Sequence, residues 1–304
     1  MQKEQIKQLV DRITGTQIKE PNQRVKAIVD RMLLDLFNVI DDFDVQPEEF
    51  WSALSYMTEL GQRNEYSLLS AGLGIDHYFD VRLDEKEAQV GIEPGSTPRT
   101  IEGPLYVAGA PVCQGEARLD DDTDRGEILF MDGQVTDTQG QPVAGALVEV
   151  WHANSLGNYS YFDKTQSAFN LRRSIVTDAE GRYRFRSIMP SGYGCPPDGP
   201  TQKLLDQLGR HGQRPAHIHF FVSAPGFRTL TTQINIQGDK YIYEDFAFAT
   251  RDELIPDVTH HTDQSALRDK GVDRPFATIT FNFALPHAVE GVPSTLIDRP
   301  RAAA

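Results

Sequence analysis

Cysteine is nearly missing from this chain: Cys113 and Cys195 are the only two in 304 residues. Two thiols cannot build a disulfide framework, so a reducing cytoplasm is the simplest compartment. Long apolar runs are missing as well. None is long enough to span a bilayer, and Met1-Gln-Lys-Glu-Gln leads into no apolar secretory core, so membrane insertion is not expected. Positive charge is in deficit: 30 Lys and Arg stand against 44 Asp and Glu, a formal net charge of -14. That argues against nucleic acid or an anionic membrane surface as a partner. A small anionic aromatic substrate is not excluded, because one local arginine can override the global field. No internal repeat or low-complexity segment is present, and the length suffices for one large domain or two modest ones.

What is present falls into two patterns. In the first hundred residues the apolar period is helical: Leu9, Val10 and Ile13, then Val25, Ile28, Val29, Met32, Leu33, Leu36 and Ile40. Asp44-Val-Gln-Pro47 reads as a helix start, followed by Phe50, Trp51, Leu54, Met57 and Leu60. Leu68, Leu69 and Leu73 continue an apolar stretch broken by glycines. These amphipathic faces are expected to pack on one another and on the rest of the chain. The turn-rich Glu93-Pro-Gly-Ser-Thr-Pro98 marks the expected domain boundary, dividing 1–95 from 96–304.

After it the period becomes two. Residues 126–131, 133–137, 146–151, 175–177, 183–188, 217–223, 230–236 and 276–283 read as short strands with turn signals between them. The expected class is α+β: an antiparallel β-sandwich preceded by a helical domain. Residues 251–274 read as loops with a short helix. Pro286 to Ala304 reads as a polar tail.

The chemistry concentrates between Tyr193 and His219. In Arg214-Pro-Ala-His-Ile-His219-Phe-Phe-Val the strand period puts His217 and His219 on one face and Ile218 on the other. Two imidazoles so placed can reach one metal ion. A His-x-His pair alone is more often surface or satisfied core than ligand. What raises it here is its company: Tyr193 on the stiff loop Ser191-Gly-Tyr-Gly-Cys-Pro-Pro197, Arg214 three residues ahead, and Tyr159 in Gly157-Asn-Tyr159.

At these residues the chain resembles the intradiol ring-cleaving dioxygenases. The matching segments are Arg99-Thr-Ile-Glu-Gly-Pro-Leu-Tyr106, Val150-Trp-His-Ala-Asn154, Phe169-Asn-Leu-Arg-Arg173, Pro190-Ser-Gly-Tyr-Gly-Cys-Pro196, Arg214-Pro-Ala-His-Ile-His219 and Thr231-Thr-Gln-Ile-Asn235. The resemblance implies a metal held by Tyr159, Tyr193, His217 and His219, with a hydroxide completing the set. Tyr161 would share the face of Tyr159 if that segment were extended; the Gly-x-Tyr match selects Tyr159. Phenolate is a hard anion that favours a highly charged ion, so Fe(III) fits this donor set. A closed cysteine zinc site and a two-His-one-carboxylate ferrous site do not.

The resemblance further implies cleavage of catechol by O2, between its two hydroxylated carbons, to cis,cis-muconate in aromatic-compound degradation. Tyr193 would leave the iron and accept a substrate proton. Arg214 would stabilise charge on the substrate, and Gln233 would position it. Motif matching draws the pocket wall from Leu69, Ala71, Ile101, Pro104, Leu105, Phe246 and Ala247. The family also implies a homodimer through the N-terminal helices, with bound phospholipid. Two rival readings remain: a sibling enzyme for hydroxyquinol or chlorocatechol, and a non-enzymatic β-sandwich binding module, for which the turns around Gly140-Gln-Pro and Asp178-Ala-Glu-Gly181 would suffice.

Overall fold

A computed structural model describes residues 3–15, 19–292 and 295, and the backbone of 302–303. They form two compact units, Met1–Arg63 and Asn64–Ala304. The change from helical to strand periodicity, at residues 93–98, falls within the second unit. Nine of the 19 residues in the tail expected from Pro286 onward lie outside the described residues.

The first unit holds α1 (Lys3–Gly15), α2 (Gln23–Asp42) and α3 (Pro47–Arg63). Asn22 starts α2 by accepting from the Val25 amide at 3.1 Å. Helix α1 buries Ile6 and Val10, one turn apart. In contrast, α2 buries no residue: of the face expected to pack, Val25, Ile28, Val29, Met32 and Leu36 stay exposed and Leu33 and Ile40 are half-buried. On α3 the same holds for Trp51, Leu54 and Met57.

The second unit opens with α4 (Tyr66–Gly72) and α5 (Ile75–Gln89). Strands follow as β1 (Val107–Ala108), β2 (Val112–Gln114), β3 (Glu116–Arg118), β4 (Ile128–Asp137), β5 (Leu147–His152), β6 (Arg172–Val176), β7 (Arg182–Ile188) and β8 (Tyr193–Gly194). Then come α6 (Pro200–Gln207), β9 (Gln213–Arg214), β10 (His217–Ser223), β11 (Leu230–Asn235), β12 (Thr259–His261), α7 (Gln264–Lys270), β13 (Phe276–Thr280), β14 (Phe283–Leu285) and β15 (Ala302–Ala303). One sheet runs β11-β10-β5-β6-β2; a second runs β12-β13-β4-β7-β3, with β14 also on β4.

The sheets are mixed rather than purely antiparallel, which corrects the expectation. The central pairs β10/β11, β10/β5, β5/β6 and β4/β7 are antiparallel, but β2/β6, β3/β7, β13/β4 and β14/β4 are parallel. The reason lies in the connections. Strands β2 and β3 are one extended segment kinked at Gly115 (φ +67°), which edges first one sheet and then the other. Periodicity reveals a strand, but its direction depends on the path by which the chain returns.

The two sheets bury one core. Strand β10 gives it Ile218, Phe220 and Val222, each almost fully buried, against Leu129, Met131, Val148, Val150, Phe185 and Ile279. Burying those three side chains contributes roughly 5–9 kcal/mol. That offsets the cost of what lies on the other face of the same strand. There His217 and His219 are also buried, and Phe221 joins Trp151, Ala153 and Tyr159 in a separate aromatic cluster.

Candidate active site

Strand β10 sets the first two side chains. Cross-strand partners on both sides hold it, with His219 opposite Trp151 on β5 and Gln233 on β11. The His217 and His219 Nε2 atoms stand 3.1 Å apart. His217 Nδ1 lies 2.6 Å from the Pro215 carbonyl. A carbonyl can only accept, so Nδ1 carries the proton and Nε2 presents its lone pair. The His219 ring stacks on Trp151 with centroids 4.9 Å apart and planes 6° from parallel, and its buried Nδ1 has no hydrogen-bond partner. Burial, then Arg214, pushes His217 down to about 3; burial, then His217, pushes His219 well below its ordinary value. Both imidazoles are therefore neutral and able to ligate.

Two phenols close on this pair from loops. Tyr193 sits on the two-residue strand β8, in register with Arg214 on β9. Glycine is needed beside it: a Cβ on Gly192 would run into the Arg214 carbonyl oxygen. The Tyr193 ring centroid is 5.4 Å from that of His217 and 5.5 Å from that of Tyr159. Tyr159 is held from behind by Asn154, whose Oδ1 accepts from the Leu156 and Asn158 amides at 3.0 and 2.9 Å. Its hydroxyl is 3.4 Å from His217 Nε2. Tyr161 turns elsewhere. Its φ of 73° breaks the extended path, and Lys164 covers its ring.

Arg214, 3% exposed, is the hub of the site. Its Nε and Nη2 donate to Asp245 Oδ1 and Oδ2, both at 3.1 Å. Nη2 also donates to Gln233 Oε1 at 2.7 Å, and Nη1 to His217 Nε2 at 3.1 Å. Asp245 was not evident from the sequence, because the pair is 31 residues apart and carries no local signal. A second buried cation was missed too. Arg172 lies 5.7 Å from the Tyr159 ring centroid and donates to Ser160 Oγ, Ser160 O and Leu105 O. Burial pushes its guanidinium down to about 10. Burial also pushes the Tyr159 hydroxyl up, and Tyr193 adds to this, while Arg214 and Arg172 work the other way.

The wall candidates separate. Ala71, Ile101, Phe246 and Ala247 lie in one apolar cluster with Cys195, Leu205 and Ala249, against which Leu68 packs. Leu69 is half-buried outside that cluster, Pro104 is exposed, and Leu105 packs with Tyr159 and Tyr193. Gly103 passes beside His219: a Cβ there would be 3.5 Å from its Cε1. Leu68, Cys195 and Leu205 were not singled out as wall residues from the sequence; helical spacing marks both Leu68 and Leu69 as apolar without ranking them.

The donor set suits a metal ion. Two nitrogens at about 2.1 Å from one ion and at right angles to each other stand about 3.0 Å apart, close to the observed 3.1 Å. His219 would otherwise be buried with its Nδ1 unpartnered and its Nε2 facing His217. Among the described residues no group of three or more His, Cys, Asp or Glu side chains could hold a metal; the rings beside the two imidazoles are those of Tyr159 and Tyr193.

Comparison with known proteins identifies the family. The chain belongs to the intradiol ring-cleaving dioxygenases: the family model described as Dioxygenase matches residues 101–287, and that described as Catechol dioxygenase N terminus matches residues 22–91. The family implies non-haem iron. The protein named catechol 1,2-dioxygenase 2 of Acinetobacter lwoffii is 65% identical over 258 residues, 85% of this chain and 94% of its own. Catechol 1,2-dioxygenase of Acinetobacter baylyi is 53% identical, with 95% and 94% covered. The crystal structure of wild-type catechol 1,2-dioxygenase from Acinetobacter radioresistens matches with a TM-score of 0.95 at 54% identity, covering 100% of this chain and 99% of that one. Relatives named for hydroxyquinol and chlorocatechol are 37% and 34% identical. Among the described residues no helix is long and apolar enough to cross a membrane.

Proposed function

We propose that this protein cleaves catechol with O2 to cis,cis-muconate, using Fe(III) held by Tyr159, Tyr193, His217 and His219. One observation carries the reading: two neutral imidazoles and two phenols converge on a buried point beside an arginine. When bound, the iron supplies Lewis acidity that activates the catecholate toward O2. The remaining work falls to the chain. The Tyr193 phenolate would accept one of the two substrate protons as general base and become the neutral phenol. Arg214, aimed by Asp245 and Gln233, faces the negative charge that builds on the substrate. Arg172 favours the anionic form of Tyr159 from behind.

Ala71, Ile101, Phe246 and Ala247 form the apolar slot for a flat ring and exclude water, with Leu69, Pro104 and Leu105 toward its rim. The helices of residues 1–95 join two copies into a homodimer and hold phospholipid. The support is the uncovered apolar face of α2 and α3. Such an enzyme acts in the cytoplasm, in aromatic-compound degradation.

Product analysis on catechol, hydroxyquinol and chlorocatechols tests the assignment. Catechol is expected to give the highest kcat/KM and a muconate spectrum with both oxygen atoms from one O2. A yellow semialdehyde, or a preference for hydroxyquinol, overturns it.

A further inference from the structure

We propose that Glu65 and Arg210 are positioning residues that set the width of the substrate slot by fastening α4 at both ends. Helix α4 has seven residues, too short to hold its shape alone. Yet it presents Leu68 and Ala71 to the cluster of Ile101, Leu205 and Phe246. Its position decides how far that wall stands from the ring.

At the N-terminal end, Glu65 is 4% exposed, although a glutamate is rarely buried without a reason. Its side chain does not cap its own helix. It reaches across instead, and Oε2 accepts from the Thr201 amide, in the first turn of α6, at 3.0 Å. The carboxylate thereby meets the positive end of α6, the helix that brings Leu205 to the slot. The fit is close: a Cβ on Gly199 would collide with Glu65 Oε1.

At the C-terminal end, Arg210 makes the matching tie. Its Nη1 donates to the Gly72 carbonyl at 2.6 Å and its Nη2 to the Phe246 carbonyl at 3.1 Å. The guanidinium lies over the Phe248 ring, 4.8 Å from its centroid. One side chain thus spans the gap between α4 and the Phe246 loop. That gap is already at its limit: a Cβ on Gly72 would stand 3.3 Å from the Phe246 ring. Neither Glu65 nor Arg210 hydrogen-bonds to the four proposed iron ligands. Both act through the wall.

This inference rests on the catechol reading, and muconate formation and iron content of the wild type test that reading separately. The variants are Glu65→Ala, Glu65→Gln, Arg210→Ala and Arg210→Lys, assayed on catechol and 4-methylcatechol. Loosening α4 is expected to raise KM for catechol more than it lowers kcat. It should also erode the preference for catechol over 4-methylcatechol about tenfold, the lower end of what one methylene contributes to discrimination. Glu65→Gln keeps an acceptor for the Thr201 amide and should restore most of the preference. Hydrogen exchange at residues 66–72 should quicken in the two alanine variants. As an independent perturbation of the same wall, Gly72→Ala should wedge α4 and the Phe246 ring apart and likewise erode the preference. If the alanine variants lose stability yet keep the wild-type substrate ratio, the two residues are structural only and the proposal fails. If an alanine variant does not fold, the ratios for Arg210→Lys and Gly72→Ala decide it: an unchanged ratio in both refutes the proposal.

Discussion

Replacing Asp245 by asparagine tests the buried hub of the site. Each carboxylate oxygen has two donors. Oδ1 accepts from Arg214 Nε and the Ala247 amide, at 3.1 and 3.0 Å; Oδ2 accepts from Arg214 Nη2 and the Ala249 amide, at 3.1 and 3.3 Å. Asparagine must place an NH2 against one of these donor pairs, and no flip of the amide avoids that. Arg214, 3% exposed, then loses its counter-charge. Breaking a buried pair from one side costs about 3–5 kcal/mol. For a unit of this size that lowers Tm by about 6–20 °C. The guanidinium should also lose its aim, and a misplacement of about 1 Å lowers kcat about 10- to 100-fold. The pH dependence adds a check of sign. Burial works against the Asp245 carboxylate, but Arg214 outweighs it and holds the carboxyl below its usual range. Stability from such a group is complete above its ordinary pKa of about 4 and is lost as the pH falls through the depressed value. Asp245→Asn should therefore flatten the acid limb of the stability curve. Thermal melts from pH 3 to 8 and kcat at pH 7 are the assays. A Tm within about 2 °C of wild type, with unaltered turnover, refutes the account of Arg214 as held by this pair.

Other outcomes follow from the same geometry. His217→Ala and His219→Ala should each lose iron after purification, read by metal analysis; full iron content in either variant removes that residue from the ligand set. Tyr193→Phe should keep part of its iron yet take up catechol more slowly in stopped-flow, because one proton acceptor is gone; wild-type uptake counts against the general-base role. Asp80→Asn should stabilise the protein at pH 8 but not at pH 4. The Asp80 carboxyl is pushed up to about 7, first by burial and against the pull of Arg99 and Arg251. Its folded form thus favours the protonated state, and stability declines as the pH rises through that value. The gain at pH 8 is on the order of 2–4 kcal/mol, measured by urea melts at both pH values; equal melts at pH 8 contradict it.

Local periodicity determined a good deal of this protein. Three residues of β10 suffice to put His217 and His219 on one face, because the strand period is two wherever the strand lies. Pro and Gly around Tyr193 announce a stiff loop for the same local reason. The helical spacing of Val25 to Leu36 predicts an apolar stripe. It does not say what covers that stripe, and within this chain most of the stripe is exposed. Tertiary structure alone decided the rest. The Tyr159 hydroxyl approaches His217, and Tyr161 turns away, because the chain takes φ 73° at Tyr161, where residue type gives no warning. The sheets are mixed because the segment around Gly115 runs parallel to β6 and then β7, and β13 and β14 both return parallel to β4. Leu68 packs on the cluster of Ala71, Ile101 and Phe246 because of the rotation of α4, a helix joined at its ends by the Glu65 side chain to the Thr201 amide and by the Gly72 carbonyl to the Arg210 side chain, partners 136 and 138 residues apart in sequence. Arg214 finds Asp245 because a buried charge must be neutralised by whatever the fold brings beside it, and that neighbour is chosen in space rather than along the chain.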